Sequence, residues 1–565
     1  MSENTEPIAP KTPPTKREIW LPLALSLAVC GGIGVGMKLQ NESLLTATPK
    51  AKTAVPTAED IIGQGRMEEI LRYVDAKYVD DVNNSVLVDK AINNLLEELD
   101  PHSVYIPANE MPSVTEDLEG EFDGIGIETL NLDDTITVVT PIANSPAAKA
   151  GIVAGDKIIA VGDSAAVGKD LRWLNARLRG KRGTQIRLSI LRGTSPRPQV
   201  LTVERDKIPL HSVEGATALD DKTGYVKISR FSANTTREFT AALEFLFEKK
   251  GVKNLVIDLR GNPGGYLDKA VDILSQLFPE KDQLVVFTKG RTVHKNEYKT
   301  NGRQRYGVGK VAILIDEGSA SASEIVAGAV QDWDRGVVVG RRSFGKGLVQ
   351  EPYALSDGSE LRLTVARYYT PLGRTLQKPY KGKSKKEYAD EDKDRLARGE
   401  LTNADSTAAH DSTRYFTPNG RIVYGGGGIT PDVFVPIEAA ARSNYYQNLK
   451  NWASEFAYRY YVLHRSEIKF TDWRSFEREF KVTDYAFREF VGYAERHGVG
   501  RDNVQMETVK EPIRRLMKAR IARQLFGEEG YFGILNDNDT VVRRALEVLQ
   551  QDDPLGLRRI AQKRK

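Results

Sequence analysis

From Thr223 onward, short apolar runs alternate with amphipathic helical patterns, and this alternation limits the possible folds more than any other feature of the chain. GYVKIS leads to TREFTAALEFLFEKK, NLVIDL to YLDKAVDILSQLF, and KVAILID to SEIVAGAVQDW, with GVVVG following. Apolar strands alternating with amphipathic helices predict a layered α/β core.

The flanking sequence has other periodicities. From Ala58 to Leu99 the apolar residues fall into two helical stripes, and Asp100-Pro101 ends the second. Phe122 to Ile208 holds short strands separated by Gly, Asp and Asn, with one helix at Leu171 to Leu178; this predicts a β-rich binding module. Residues 378–412 are charged and poor in large apolar side chains, which reads as a mobile loop. Residues 440–551 return to helical periodicity with dense Arg and Glu. The predicted organisation is multidomain: tail 1–18, membrane anchor 19–37, linker 38–57, helical segment 58–118, β-rich module 119–207, α/β core 208–440 and helical C-terminal region 441–565.

Composition removes several function classes. Lys plus Arg is 81 and Asp plus Glu is 77, a net charge of +4 over 565 residues, so nucleic acid is not an expected partner. The single cysteine, Cys30, cannot form an intramolecular disulfide or a metal cluster, and the six histidines lack zinc-site spacing. No metal and no cofactor are therefore expected. Ile19 to Met37 carries no charge and comes after Lys11, Lys16 and Arg17. Its length of roughly 28 Å as a helix matches one hydrocarbon core, and the positive residues before it favour export of the chain beyond Met37. A cleaved signal peptide and a lipoprotein signal ending at Cys30 are the competing readings, the second weakened by the bulky Val29. The expected location is the bacterial cell envelope, with an uncleaved inner-membrane single-pass anchor and the body in the periplasm.

Three turns between strand and helix or strand and strand carry candidate chemistry. In VAILIDEGSASASEIVAGAVQDW, Ser321 would sit at a helix N-terminus, where free N–H groups and the dipole favour developing negative charge. Ser321-Ala-Ser-Glu324 also fits a helix capping box, and the segment alone reads as a cap. In GRRSFGKGLVQ, Lys346 could act as a base if burial lowered its pKa, and an extended backbone would turn Gln350 to the same face. In LVIDLRGNPGG, glycines could bring a backbone N–H to a substrate carbonyl.

Together, and in this order, these segments resemble the C-terminal processing peptidases, or tail-specific proteases. LDPHSVY, FDGIGI, YYTPLGRTLQ and YGGGGITPD extend the resemblance over about residues 60–440. The resemblance implies a crotonase/Clp-like core and a serine endopeptidase with Ser321 as nucleophile, Lys346 as general base and Gln350 orienting the lysine. It implies an oxyanion hole from the N–H groups of Gly265 and Ala322, although Pro263 stands where many relatives carry another glycine. The β-rich module, with Gly124-Ile125-Gly126-Ile127 ahead of SPAAKAGIVAGDKIIAVG, resembles a PDZ domain; its loop would hold the C-terminus of a protein substrate with an apolar tail. The C-terminal helices would serve a homo-oligomer or an adaptor.

Other readings are weaker. Gly340 to Lys346 has phosphate-loop spacing, but Gly347 stands where a magnesium-binding hydroxyl belongs and Pro352 interrupts the required helix. Ser343-x-x-Lys346 needs a helical turn that its glycines disfavour. From another class comes a non-catalytic PDZ scaffold on a peptidase fold.

Overall fold

A computed structural model describes residues 58–404 and 413–564. The apolar stretch 19–37, Cys30 and the linker 38–57 lie outside the described residues. Among the described residues, no helix is long and apolar enough to cross a membrane. Residues up to Val88 form a unit of their own. It contains the helix Ala58–Lys77 and the start of the next, where the Asn84 side chain donates to Asp75 at 2.7 Å.

In the remainder, the predicted alternation becomes a six-stranded sheet in the order Val213–Ala218, Thr223–Ile228, Asn254–Asp258, Val311–Ile315, Val337–Gly340, Val433–Phe434. Only the first pair is antiparallel. The continuous apolar runs arise because both faces are covered. Leu255, Ile257, Ile313 and Ile315 pack on one side with residues of the helices Thr235–Glu244, Leu267–Leu277 and Ala322–Asp332. Val256, Ala312, Leu314 and Val339 face Phe532 and the apolar stripe of Thr540–Gln550 on the other. The helix Thr540–Gln550, expected in a separate C-terminal region, is thus part of the core. Its residues Val541, Val542, Ala545, Val548 and Leu549 supply the cover that the second sheet face needs.

A second sheet, not anticipated from sequence, joins Val104–Ile106, Glu360–Tyr369, Lys281–Lys289 and Asn296–Asn301, with Leu348–Ala354 paired to Glu360–Tyr369. The β-rich module has its own sheet around Ile136, Ile158, Leu174 and Leu188, with the helix Leu171–Leu178 on its core. The strands Glu121–Gly124 and Asp206–Pro209 pair antiparallel, so the chain enters and leaves the module side by side.

The charged stretch 378–412 is a correction to the composition argument: through residue 404 it is folded, not mobile. It forms the helices Lys385–Ala389 and Glu391–Ala397 and buries Lys378, Tyr388, Arg395 and Glu400. Its charges are paired inward, Arg342 and Arg395 on Glu400 and Lys378 on Glu391, so low hydrophobicity here does not mean solvation.

Further helices at Asn444–His464, Asp484–Arg496 and Met506–Asp537 build a bundle around Leu449, Phe490 and Ile513. The bundle also grips the β-module. The Tyr458 hydroxyl donates to the Val138 carbonyl, Arg459 pairs with Asp133, and Arg523 meets Glu128 in a two-pronged ion pair at 2.9 and 3.0 Å.

Candidate active site

The strand Val311–Ile315 delivers the chain through a small-residue turn to Ser321, which caps the helix Ala322–Asp332. Ser321 is buried at 8% exposure and adopts φ 55°, ψ −113°, a region that costs a non-glycine residue roughly 1–3 kcal/mol. Its hydroxyl makes no cap hydrogen bond. Glu324 reaches back to the Ser321 N–H at 2.9 Å, the returning half of a capping box, and the Ser321 side chain faces the N–H of Glu324 without a well-formed cap bond. Tyr368 lies against that hydroxyl; burial pushes its phenol up to about 12, and the contact with Ser321 opposes the rise.

The turn Gly261–Gly265 packs directly on Ser321. A side chain at Gly264 would place its Cβ 2.7 Å from the Ser321 Cβ, and one at Gly265 would fall 2.1 Å from the Phe231 carbonyl oxygen. Both positions also have positive φ, so glycine is required by conformation and by contact. The Gly264 N–H is spent on the Asn262 side chain at 2.8 Å. The N–H groups of Gly265 and Ala322 have no acceptor among the described residues, which leaves them as donors beside the serine.

Lys346 precedes the strand Leu348–Ala354. Its amine donates to Gln350 Oε1 at 2.9 Å, the pairing expected from an extended run. The lysine is half-buried; burial lowers its pKa below the ordinary lysine range, and the Arg362 guanidinium adds to the lowering. Residues 343–346 are not helical and a strand follows Gly347, so neither a Ser343–Lys346 helical turn nor a phosphate-loop helix is present here.

Ser321 and Lys346 come together through Glu324, a residue whose sequence position suggests only a cap. Glu324 is fully buried, and its Oε2 accepts the N–H of Ser321 at 2.9 Å and of Lys346 at 2.8 Å. Oε1 accepts from the Gly345 N–H and the Ser343 hydroxyl. Burial raises its pKa to about 7, against the pull of those donors. No hydrogen bond joins the Ser321 hydroxyl to the Lys346 amine among the described residues. What Glu324 brings to one point is the backbone of the two loops, through the N–H groups of Ser321 and Lys346.

His102 is a site residue that the sequence marks only as part of LDPHSVY. Its carbonyl accepts from Gln350 Nε2, and its ring Nε2 pairs with the Tyr388 hydroxyl at 2.8 Å. Burial, and then the Lys346 charge, lower its pKa to about 4, so the ring is neutral at physiological pH.

In the β-module, Ile125 and Gly126 sit between the strands Glu121–Gly124 and Ile127–Leu132. Gly126 has φ 75° and packs on Ser145, whose hydroxyl donates to the Gly126 carbonyl at 3.0 Å. The N–H groups of Ile125 and Gly126 have no acceptor among the described residues. Gly124 and Ile127 are the strand ends flanking this loop. Among the described residues, no cluster of His, Cys, Asp and Glu has the makings of a metal site.

Residues 222–382 match Peptidase family S41, 124–203 match a PDZ domain, and 445–527 match a family of unknown function. The carboxy-terminal processing protease CtpB of Bacillus subtilis is 34% identical over 367 residues, covering 64% of this chain and 76% of that protein. A carboxy-terminal-processing protease of Bartonella bacilliformis is 37% identical over 323 residues, covering 55% and 72%. Among solved structures, the photosystem II D1 C-terminal processing protease is similar at 26% identity and TM-score 0.34, covering 66% of this chain and 93% of that one.

Proposed function

The chain belongs to peptidase family S41, the carboxy-terminal processing serine proteases, and on that basis we propose that Ser321 is the nucleophile and Lys346 the general base of an endopeptidase acting on protein substrates held by their C-termini. The observation that carries this reading is the shared carboxylate of Glu324, which fixes the serine turn and the lysine turn to one point.

In this reading, neutral Lys346 takes the Ser321 proton as the oxygen attacks the scissile carbonyl. The amine and hydroxyl close the remaining gap when substrate excludes water, since catalytic hydrogen bonds are often long before substrate binds. The negative oxygen of the tetrahedral intermediate is met by the N–H groups of Gly265 and Ala322, supported by the positive end of the helix Ala322–Asp332. Lys346, now protonated, gives its proton to the leaving amine, and water hydrolyses the acyl-serine by the same base. Gln350 holds the lysine amine without charging it, which a carboxylate in that position would not do.

The PDZ module presents Gly124, Ile125, Gly126 and Ile127 to the carboxylate of a substrate with an apolar tail, and its groove lies along Ile127–Leu132 and the helix Leu171–Leu178. We place the body outside the cytoplasmic membrane, anchored by residues 19–37, and assign the C-terminal helices to an oligomer or adaptor contact. The test is the full chain against an unfolded protein with an apolar C-terminus, with Ser321→Ala and Lys346→Ala beside it and fragments read by mass spectrometry. Cleavage by the wild type alone is expected. Equal cleavage by Ser321→Ala would overturn the assignment, and binding without cleavage by every form would indicate a scaffold.

A further inference from the structure

A closed circuit of hydrogen bonds surrounds Lys346, and half of it comes from segments remote in sequence. The Lys346 amine donates to Gln350 Oε1 at 2.9 Å, and Gln350 Nε2 donates to the His102 carbonyl. The His102 ring meets the Tyr388 hydroxyl at 2.8 Å, and that hydroxyl accepts from Gln377 Nε2 at 3.1 Å. Gln377 Oε1 then accepts from the N–H of Gly347 at 3.0 Å, beside the lysine where the circuit began.

Each link has a directional consequence. A side-chain amide can face a lysine with its oxygen or its NH2 group, and only the oxygen accepts from the amine. The His102 carbonyl takes up the NH2 end of Gln350, so the oxygen turns to Lys346. That carbonyl is itself held firmly: Asp100 accepts from the N–H groups of His102 and Ser103 at 2.8 Å and from the Thr364 hydroxyl at 3.1 Å. Thr364 is the cross-strand partner of Gln350, so the loop and the strand carrying the amide share one anchor.

Tyr388 brings the folded insertion 378–404 into the circuit. It is 4% exposed and meets His102 edge-on, with ring centroids 5.2 Å apart. Lys378 lies 3.8 Å from the centroid of Phe344 and 4.2 Å from that of Tyr388, closing the space next to the Lys346 turn. The charged or titratable groups facing the Lys346 amine are Glu324, Asp100, Arg362 and His102, with Lys378 beyond the imidazole.

We propose that Tyr388 and His102 are positioning residues for the general base: Tyr388 holds the His102 ring, which keeps the His102 carbonyl in place for Gln350, and the two rings shield the Lys346 turn, so the segment 378–404 belongs to the catalytic apparatus. This rests on reading Lys346 as the base. A well-oriented neutral acceptor and a dry surrounding both favour the uncharged amine, so loosening the circuit returns the lysine toward its solvated behaviour and moves the rising limb of activity to higher pH.

The experiment measures kcat and KM against pH for the full chain on a peptide with an apolar C-terminus. Tyr388→Phe, His102→Ala, His102→Gln and Lys346→Ala are compared, with thermal unfolding recorded for each. Tyr388→Phe and His102→Ala are expected to lose about 5- to 20-fold in kcat at pH 7 with little change in KM, and to shift the rising limb upward. His102→Gln, whose amide can accept from Tyr388, is expected to recover most of the loss. An unmoved limb in both Tyr388→Phe and His102→Ala, or an equal loss at every pH accompanied by a lower Tm, would overturn the proposal. Full activity in Lys346→Ala would instead remove the reading of Lys346 on which it rests.

Discussion

The backbone N–H groups of Ser321 and Lys346 end on the same carboxylate oxygen of Glu324, at 2.9 and 2.8 Å. Two turns from different parts of the sheet are thereby held in register by an atom that does not itself react. Replacing the carboxylate by an amide leaves one acceptor oxygen where two served four donors. A buried donor left without its acceptor costs about 1–3 kcal/mol, so Glu324→Gln is expected to loosen both turns and lower kcat by about 10- to 100-fold. Wild-type kcat in a correctly folded Glu324→Gln would refute the role given to this bridge.

Lys346 must give up its proton before the chemistry begins. Burial lowers its pKa, so kcat/KM is expected to rise with pH through a limb below the usual lysine value of about 10.4 and then level off. Lys346→Arg is expected to be inactive at every pH, because a guanidinium does not deprotonate in this range. Activity in that variant, or a rate constant from pH 5 to 9, would count against the lysine as base.

The backbone at Ser321 makes a separable prediction. Its φ of 55° suits glycine, while alanine retains the strain. Both substitutions should abolish cleavage, yet Ser321→Gly is expected to be more stable than Ser321→Ala by about 1 kcal/mol. Denaturant unfolding of the two checks this, and the reverse order would mean that the turn is not strained.

His102 gives a pH dependence of folding. Its pKa is near 4 in the native protein, against an unperturbed value of about 6.5. Between those values the unfolded chain takes up a proton that the native ring refuses, so stability is intact above about 6.5 and declines as pH falls toward 4. Because the ring is only half-buried, the decline should amount to about 1–2 kcal/mol, and His102→Gln should remove it. Urea unfolding midpoints of both proteins at pH 7 and pH 4.5 give the comparison.

The ion pair between Arg523 and Glu128 predicts a local effect. Arg523→Ala removes both prongs, and hydrogen exchange in Ile127–Leu132 is expected to speed up while exchange in the sheet Asn254–Asp258 stays unchanged. Unchanged protection of Ile127–Leu132 would show that the bundle does not brace the module.

How much of the fold and site is legible in the sequence depends on whether a contact is local. The alternation from Thr223, the Leu171–Leu178 helix and the Lys346–Gln350 pairing follow from periods of 3.6 and 2 within one segment. The Ser321–Glu324 spacing is visible as a capping box, but Glu324 as a bridge is not, because its other donors lie in the loop Ser343–Lys346. The insertion 378–404 defeats a composition argument that equates charge with solvent exposure; Arg342, from another loop, satisfies its Glu400. Thr540–Gln550 belongs to the core rather than to a separate region, and nothing local says which sheet an apolar stripe will cover.

Glu128 and Arg523 are 395 positions apart in the chain, and Arg260 of the glycine turn reaches Asp539 at 2.8 Å across another 279. Loops that long contribute little to early collapse, since the entropy of closing them is lost before their contacts form. Arg523 and Asp539 therefore supply contacts that form after the segments they brace have folded locally. Until those two contacts close, the β-module at Glu128 and the backbone at Arg260 are each short of one brace.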